Sequence, residues 1–390
     1  MFDLIRSYLK ENHADAWVIY DFGSCNPAFL KVAGSCFTTR KCFAVIDAAG
    51  GKKILCHVID LFSVQHSSSM QDFEIISYST WQQLEQLLER ELRGYRRVMM
   101  EISENGMMPR SSFADYGTVC LVRRFVPEVI PSADLFQSLT ATFSGDRLNM
   151  HIKAAETIDA IKDDAFALIS RTVQEKGEIG EYEVQQFILQ RFKENGMISD
   201  ESPIVAIGKN ANNPHYEPTE AAHSVIRRGD LVLIDLWAKY DHPDGVFADI
   251  TWMGYVGDTV PHDVQKAFDA VKGAIDTVLM FLEQTLPERP VCGYEVDRLC
   301  SDYLKEQGYG QYILHRTGHS ISPGDRDHGV GVNIDDFETH DTRHIIDKVA
   351  FSIEPGIYTP DFGVREEINV YIKDNKPYVY TRRQSEIVLL

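Results

Sequence analysis

Five residues in the second half of the chain are of the types that hold divalent metal ions, and four of them are carboxylates in two matched pairs. Asp235 lies in LVLIDLWAKY and Asp249 in VFADITW, fourteen positions apart; Glu354 lies in VAFSIEPGIY and Glu367 in VREEINVYI, thirteen apart. His319, in HRTGHS, falls between the pairs. Asp235 is surrounded by Leu231, Val232, Leu233, Ile234, Leu236 and Trp237, and Glu354 follows Val349, Ala350, Phe351 and Ile353. Short apolar runs rich in β-branched and aromatic residues read as buried strands. An ionised carboxylate on such a strand is costly unless it is paired, hydrogen-bonded or bound to metal. A proton or an arginine would answer one buried acid, but four acids and a histidine at matched positions call for cations. Oxygen donors with a single imidazole suit Mn²⁺, Fe²⁺, Co²⁺ or Zn²⁺. Four carboxylates exceed what one catalytic ion needs, so two ions sharing bridging carboxylates are expected. Two ions about 3.5–4 Å apart can clamp and deprotonate a water.

The elements that must position these residues are also legible. Each pair is bridged by a turn, with Asp241, Pro243, Asp244 and Gly245 in the first and Thr359, Pro360, Asp361 and Gly363 in the second. Such residues favour tight reversals, so each half reads as strand, hairpin, strand, with its carboxylates side by side. Two helical patterns precede each hairpin. In the first half they cover 151–176 and 181–195, where Val184, Phe187, Ile188 and Phe192 share a face. In the second they cover 262–284, with Val264, Phe268, Val271, Ile275 and Val278 in period, and 294–307, with Val296, Leu299, Cys300 and Tyr303. Gly308 supplies a stop signal. Helix, helix, hairpin thus occurs twice, offset by about 115 residues, without a residue-level repeat.

At these residues the chain resembles the pita-bread metallohydrolases: methionine aminopeptidase, prolidase, aminopeptidase P and the metal-free creatinase. DAWVIYDFGSCNPAFL and FTTRKCFAVID resemble the N-terminal domain of the prolidase-like branch. The resemblance therefore spans essentially the whole chain. It implies an α/β creatinase-like domain over 1–147 and an α+β pita-bread catalytic domain with pseudo-two-fold symmetry over 148–390. It also implies one metal on Asp249, His319, Glu354 and Glu367 and another on Asp235, Asp249 and Glu367. The carboxylate matching Glu354 would also handle the proton of the attacking water. His215, in NPHYEP, matches a histidine near the substrate, and His328, in RDHGVG, one that steadies the tetrahedral intermediate. His315 matches a further histidine of the pattern and Arg365 an arginine that pairs with site carboxylates. The implied activity is cleavage of Xaa-Pro bonds by a homodimer carrying two divalent ions, Mn²⁺ first among them and Co²⁺, Zn²⁺ or Fe²⁺ as alternatives.

The chain departs from the family pattern beside these residues. Ser320 and Ser322 stand where glycines are usual, SISPGDRD lengthens the link after His319, and Glu366 replaces an apolar residue. LWAKYDHP lacks the small residues common after the first aspartate. These changes leave open a metallohydrolase of a small non-peptide amide or modified amino acid on the same fold. A non-catalytic binding module is the third reading, and the presence of all five ligand residues argues against it.

Length and composition set outer bounds. A chain of 390 residues can form two domains, each with its own core. In the first part DAWVIYDF, CFAVID, KKILCHVI and RRVMMEI read as strands, and WQQLEQLLERELRG and SADLFQSL as helices, an α/β layer pattern. FSGDRLNM marks the domain boundary. A net charge of −19 without a basic run argues against nucleic-acid binding. No stretch is apolar enough to span a membrane, and the N-terminus lacks a signal-peptide layout. Seven cysteines, an odd number without CxxC spacing, suggest reduced thiols in the cytoplasm. Trp237, Trp252 and Tyr358 read as core or pocket wall, and His242 and His262 as solvated turn residues.

Overall fold

The computed structural model describes residues 1–34, 36–67 and 72–390. The chain divides into two compact units, Met1–Leu139 and Thr140–Leu390.

The first unit is built on a six-stranded sheet. Its strands run in the order Glu74–Tyr78, Lys52–His57, Cys42–Asp47, Ala16–Asp21, Arg97–Met100 and Glu128–Pro131. Ala16–Asp21 pairs antiparallel with Cys42–Asp47 and parallel with Arg97–Met100. Its side chains alternate between two cores: Trp17 and Ile19 join one, Ala16, Val18 and Tyr20 the other. A strand buried on both faces must be apolar throughout, which is why AWVIYD is so legible. The outer strands, EIISY and EVIP, are short and partly exposed, and they carry no comparable pattern.

In the second unit the helix–helix–hairpin pattern appears twice. Helices Asp146–Lys176 and Glu181–Glu194 precede strands Leu231–Tyr240 and Ala248–Tyr255. Helices His262–Thr285 and Gly293–Glu306 precede a hairpin formed by Ala350–Ile353, Gly356–Tyr358, Gly363–Arg365 and Ile368–Lys373. The first helix ends at Gly177, whose φ of 89° is the left-handed geometry glycine accepts without penalty.

The long strand Leu231–Tyr240 shows how the core feeds the site. Val232, Ile234, Leu236 and Ala238 face one core, with the first two helices; Leu231 and Leu233 face the other, with the second two. Asp235 is the next member of the Leu231–Leu233 row. Its partner across the hairpin is Thr251, while Asp249 stands opposite Trp237. The two aspartates are therefore diagonal neighbours on one face. In the second hairpin Ile353 faces Ile368 and Gly356 faces Arg365, a register that sets Glu354 opposite Glu367.

The two hairpins are stitched together at Asp249. Its N–H donates to Asn369 Oδ1 at 2.9 Å, and Asn369 Nδ2 donates to its carbonyl at 2.7 Å. The Glu367 N–H donates to the Thr251 carbonyl at 3.2 Å.

Glu366 points the other way and is fully buried. Its Oε1 accepts from the Gln384 N–H at 3.1 Å, and Gln384 clamps Met253 on the Asp249 strand. Its Oε2 has no donor, and burial pushes this carboxyl up to about 7. A buried acid with a raised value binds more protons folded than unfolded, so it costs stability as pH rises from the carboxylate range toward 7. Glu366→Gln is expected to stabilise the protein at pH 8 by up to about 3 kcal/mol, the scale set by 1.36 kcal/mol per pH unit. The gain should vanish at pH 5. Urea unfolding at both pH values measures it, and a pH-independent difference would contradict this reading.

Candidate functional site

The facing hairpins bring the five candidate ligands together. Around His319 Nε2 lie Asp249 Oδ2 at 3.4 Å, Glu354 Oε1 at 3.4 Å and Glu367 Oε1 at 4.0 Å. The imidazole is fixed through its own backbone, whose N–H donates to Ser352 Oγ at 2.9 Å. The same hydroxyl donates to Glu354 Oε1 at 3.1 Å. Asp235 is tied to the Arg365 guanidinium. Arg365 Nε also donates to Thr251 Oγ1 at 3.0 Å, and that hydroxyl donates to Glu367 Oε2 at 3.0 Å. Arg365 thus reaches two of the four acids, one directly and one through Thr251.

The electrostatics of this cluster follow from its burial. Burial pushes Asp249 and Glu367 well above the ordinary carboxylate range, and the neighbouring carboxylates push in the same direction. Burial also raises Asp235, although Arg365 pulls it back. Glu354 differs: burial raises it, but the positive charge of His319, of His315 when it is protonated at low pH, and of Arg365 outweighs that and leaves it below its usual value. Among these acids Glu354 is the one held most firmly in its ionised form. Buried carboxylates this close cannot all ionise unless cations balance them.

The donor set fits divalent metal ions. Asp249 Oδ1 and Glu367 Oε1 are buried without a hydrogen-bond donor, where a native protein rarely leaves such atoms orphaned. Asp249, His319 and Glu367 each turn one donor atom into a common volume less than 4.8 Å across. Carboxylate oxygens with one imidazole match the hard to borderline divalent ions.

The remaining predicted residues fall in different places. His315 Nδ1 lies 2.7 Å from the Arg316 carbonyl and Nε2 lies 2.6 Å from Tyr358 Oη. The carbonyl only accepts, so Nδ1 carries the proton and Nε2 accepts from the tyrosine. Tyr358 Oη in turn accepts from Arg365 Nη1 at 3.0 Å. Burial lowers the His315 value, consistent with a neutral ring that orients Tyr358 and, through it, Arg365. Tyr358, which reads from sequence as core or pocket wall, is a specific hydrogen-bond partner of His315 and Arg365. His328 is 47% exposed at its side chain and stacks on His319 with ring centroids 4.0 Å apart. His215 is exposed on a loop, its N–H donating to Asn213 Oδ1 at 3.1 Å. Among the described residues, no hydrogen bond, ion pair or ring contact joins its ring to the five ligands.

One site residue escaped the sequence reading. Asp327 is 4% exposed, and its Oδ2 lies 3.6 Å from His319 Nε2. In SPGDRDHG it has the neighbours of an ordinary solvated loop acid. Only the fold of the lengthened loop takes it inside.

Comparison with known proteins agrees with this geometry. The sequence profile of metallopeptidase family M24 matches residues 150–374. A putative Xaa-Pro aminopeptidase of Mycoplasma pneumoniae is 30% identical over 235 residues, 59% of this chain and 60% of the relative. An Xaa-Pro dipeptidase of Lactobacillus helveticus is 29% identical over 247 residues, 61% and 60% of the two chains. The matched segment thus spans about three fifths of these relatives. In structure, a dipeptidase from Mycobacterium ulcerans superposes with a TM-score of 0.65 at 19% identity, over 100% of this chain and 96% of the other. An Xaa-Pro dipeptidase from Bacillus anthracis gives 0.60 at 21% identity, over 100% and 99%. These structural likenesses establish the fold: an α/β N-terminal unit and a pita-bread second unit. Two facing carboxylate hairpins, a histidine between them and a family profile that covers both hairpins lead to one assignment: the chain belongs to metallopeptidase family M24.

Proposed function

We propose that this chain is a dinuclear metal-dependent hydrolase of the bond between a residue and a following proline, acting as an Xaa-Pro aminopeptidase or dipeptidase. The observation that carries the proposal is the cluster of buried Asp235, Asp249, His319 and Glu367 with partly buried Glu354, and the orphaned oxygens on Asp249 and Glu367. The proline preference is supported by the relatives described as Xaa-Pro aminopeptidases and dipeptidases.

Asp249, His319, Glu354 and Glu367 are assigned to one ion, and Asp235, Asp249 and Glu367 to the other. Ions bound there supply Lewis acidity and bring the pKa of a water toward neutrality. Glu354 takes the proton of the attacking water, as the acid of the cluster whose value is lowered. Arg365, braced by Tyr358 and neutral His315, holds Asp235 in place. His328, stacked on His319, is assigned to the substrate oxygen on which charge develops, and His215 to substrate contact. Mn²⁺ is the first ion to supply, given the oxygen-rich donor set. A cytoplasmic setting is supported by seven free cysteines. The homodimer rests on the family resemblance and is measured by light scattering. Among the described residues no helix is long and apolar enough to cross a membrane.

The test is hydrolysis by purified protein stripped with chelator and reloaded with Mn²⁺, Co²⁺ or Zn²⁺. Xaa-Pro dipeptides and longer Xaa-Pro peptides are compared. One class should be cleaved, and chelation should abolish the activity. Failure on both classes with all three ions would overturn the proposal. The distinctive loop after His319 favours a second reading, a small non-peptide amide as substrate. Cleavage of an N-acyl amino acid with Xaa-Pro peptides inert would select it.

A further inference from the structure

Three of the departures from the family pattern, the Ser320 and Ser322 pair, the lengthened SISPGDRD link and the LWAKYDHP segment, form or brace one loop. Residues 320–331 leave the Ser320–Ile321 strand, turn, and return so that His328 bridges back to Ile321. Ser320 Oγ accepts from the Gly331 N–H at 2.9 Å, and Ser322 Oγ accepts from the Val330 N–H at 3.1 Å. A glycine at either position would lose that acceptor. The approach is close enough that a Cβ on Gly329 would sit 2.4 Å from Ser322 Oγ. The bulky LWAKY segment supplies the outer braces. Lys239 Nζ donates to the Gly324 carbonyl. Trp237 Nε1 donates to Asp200 Oδ1 at 2.9 Å, and Asp200 Oδ2 accepts from the Asp327 N–H at 3.2 Å.

The product of this bracing is the placement of Asp327. Its carboxyl lies against that of Asp249, with Oδ2 3.6 Å from His319 Nε2. Its Oδ1 is buried and has no hydrogen-bond donor. Two ionised carboxylates have only acceptors to offer each other, so a shared proton or a cation must lie between them, and a cation there would also meet the His319 nitrogen 3.6 Å from Asp327 Oδ2. His319, Asp327 and His328 each present a donor atom within 4.8 Å of the others. Charge counting agrees. Asp235, Asp249, Asp327, Glu354 and Glu367 against the single guanidinium of Arg365 leave four formal negative charges, the number two divalent ions bring.

We infer that Asp327 is a further carboxylate ligand of the metal site, added on the His319 side by the 320–331 loop. This rests on the metal site of the proposed function. It makes that site richer in oxygen than the five-residue pattern and places the added charge on the side where His328 stands.

The test is Mn²⁺ binding, by calorimetry and by electron paramagnetic resonance, to the full chain and to Asp327→Asn and Asp327→Ser. Circular dichroism and thermal melting of the stripped proteins confirm folding, and two variants guard against the failure of one. The wild-type protein should take up two ions. Each variant should bind one of them at least about tenfold more weakly, the lower end expected for loss of a metal-site partner. Two ions bound by both variants with dissociation constants within twofold of wild type would overturn the inference. So would a wild-type protein that binds no Mn²⁺, which would remove the metal site with it. A wild-type protein that binds two ions but hydrolyses no Xaa-Pro peptide would sink the proposed substrate and leave this inference standing.

Discussion

Asp249→Asn should abolish hydrolysis, by on the order of 10³-fold or more, while the metal-free protein becomes more stable at pH 8. The first effect follows because Asp249 is assigned to both ions, and metal-activated water depends on their retention. The second follows from its burial. Asp249 and Glu367 are held well above the ordinary carboxylate range by burial and by their neighbours. Each therefore binds more protons folded than unfolded above that range, so the stripped wild-type protein loses stability as pH rises. An amide at position 249 removes one such charge. The hairpin does not depend on the lost carboxylate, because Asn369 holds the Asp249 backbone at both its N–H and its carbonyl. The same linkage predicts that Mn²⁺ raises the melting temperature of the wild-type protein more at pH 8 than at pH 5, where protons on Asp249 and Glu367 compete with the ion. In Asp249→Asn this metal-induced rise should be mostly lost. A variant that melts lower than the stripped wild type at pH 8, or that keeps its metal-induced rise, would contradict the assignment.

Which parts of this site could be read in the sequence depends on how local their causes are. Asp235 and Glu354 stood out because acids interrupt apolar strands, and the interruption is visible within ten residues. The hairpins were legible from their Pro, Asp and Gly turns, and the four helices from their 3.6-residue period. Arg365 was legible only through the family resemblance. Asp327 had no local mark, because its burial is made by Asp200, Lys239, Ser320 and Ser322. The first two act across 127 and 85 residues of sequence. The departures at Ser320, Ser322 and LWAKY were visible as departures, but their common purpose needed the loop they brace. The tautomer of His315 was also beyond sequence, since the Arg316 carbonyl and Tyr358 hydroxyl decide it together.

Arg365→Met should destabilise the stripped protein by about 3–5 kcal/mol at pH 8, the cost of leaving a buried ion pair with one partner. Arg365 is 3% exposed and Asp235 8%, so neither charge can turn to water for compensation. The guanidinium also serves Thr251 and Tyr358, three partners that its planar fork reaches at once and a lysine ammonium cannot. Arg365→Lys should therefore recover little of the loss. If the penalty comes from the stranded Asp235 charge, it has two signatures. It should shrink at pH 5, because an unpaired buried carboxyl is raised further and becomes protonated, and protonation favours the folded state below that raised value. It should also shrink in the double variant Arg365→Met, Asp235→Asn, which removes both charges. Urea unfolding of the four proteins in chelator forms a double-mutant cycle, and a coupling of at least about 2 kcal/mol is expected for groups in direct contact. Additive effects would show that Arg365 acts through packing. Mn²⁺ supplies the final discrimination. Asp235 is assigned to one of the ions, so bound cation can replace the missing guanidinium as its counter-charge. Metal should then rescue the stability of Arg365→Met by more than it stabilises wild type. The arginine and the metal thus compete to neutralise one buried carboxylate, and the relative size of the two rescues measures how that carboxylate is shared.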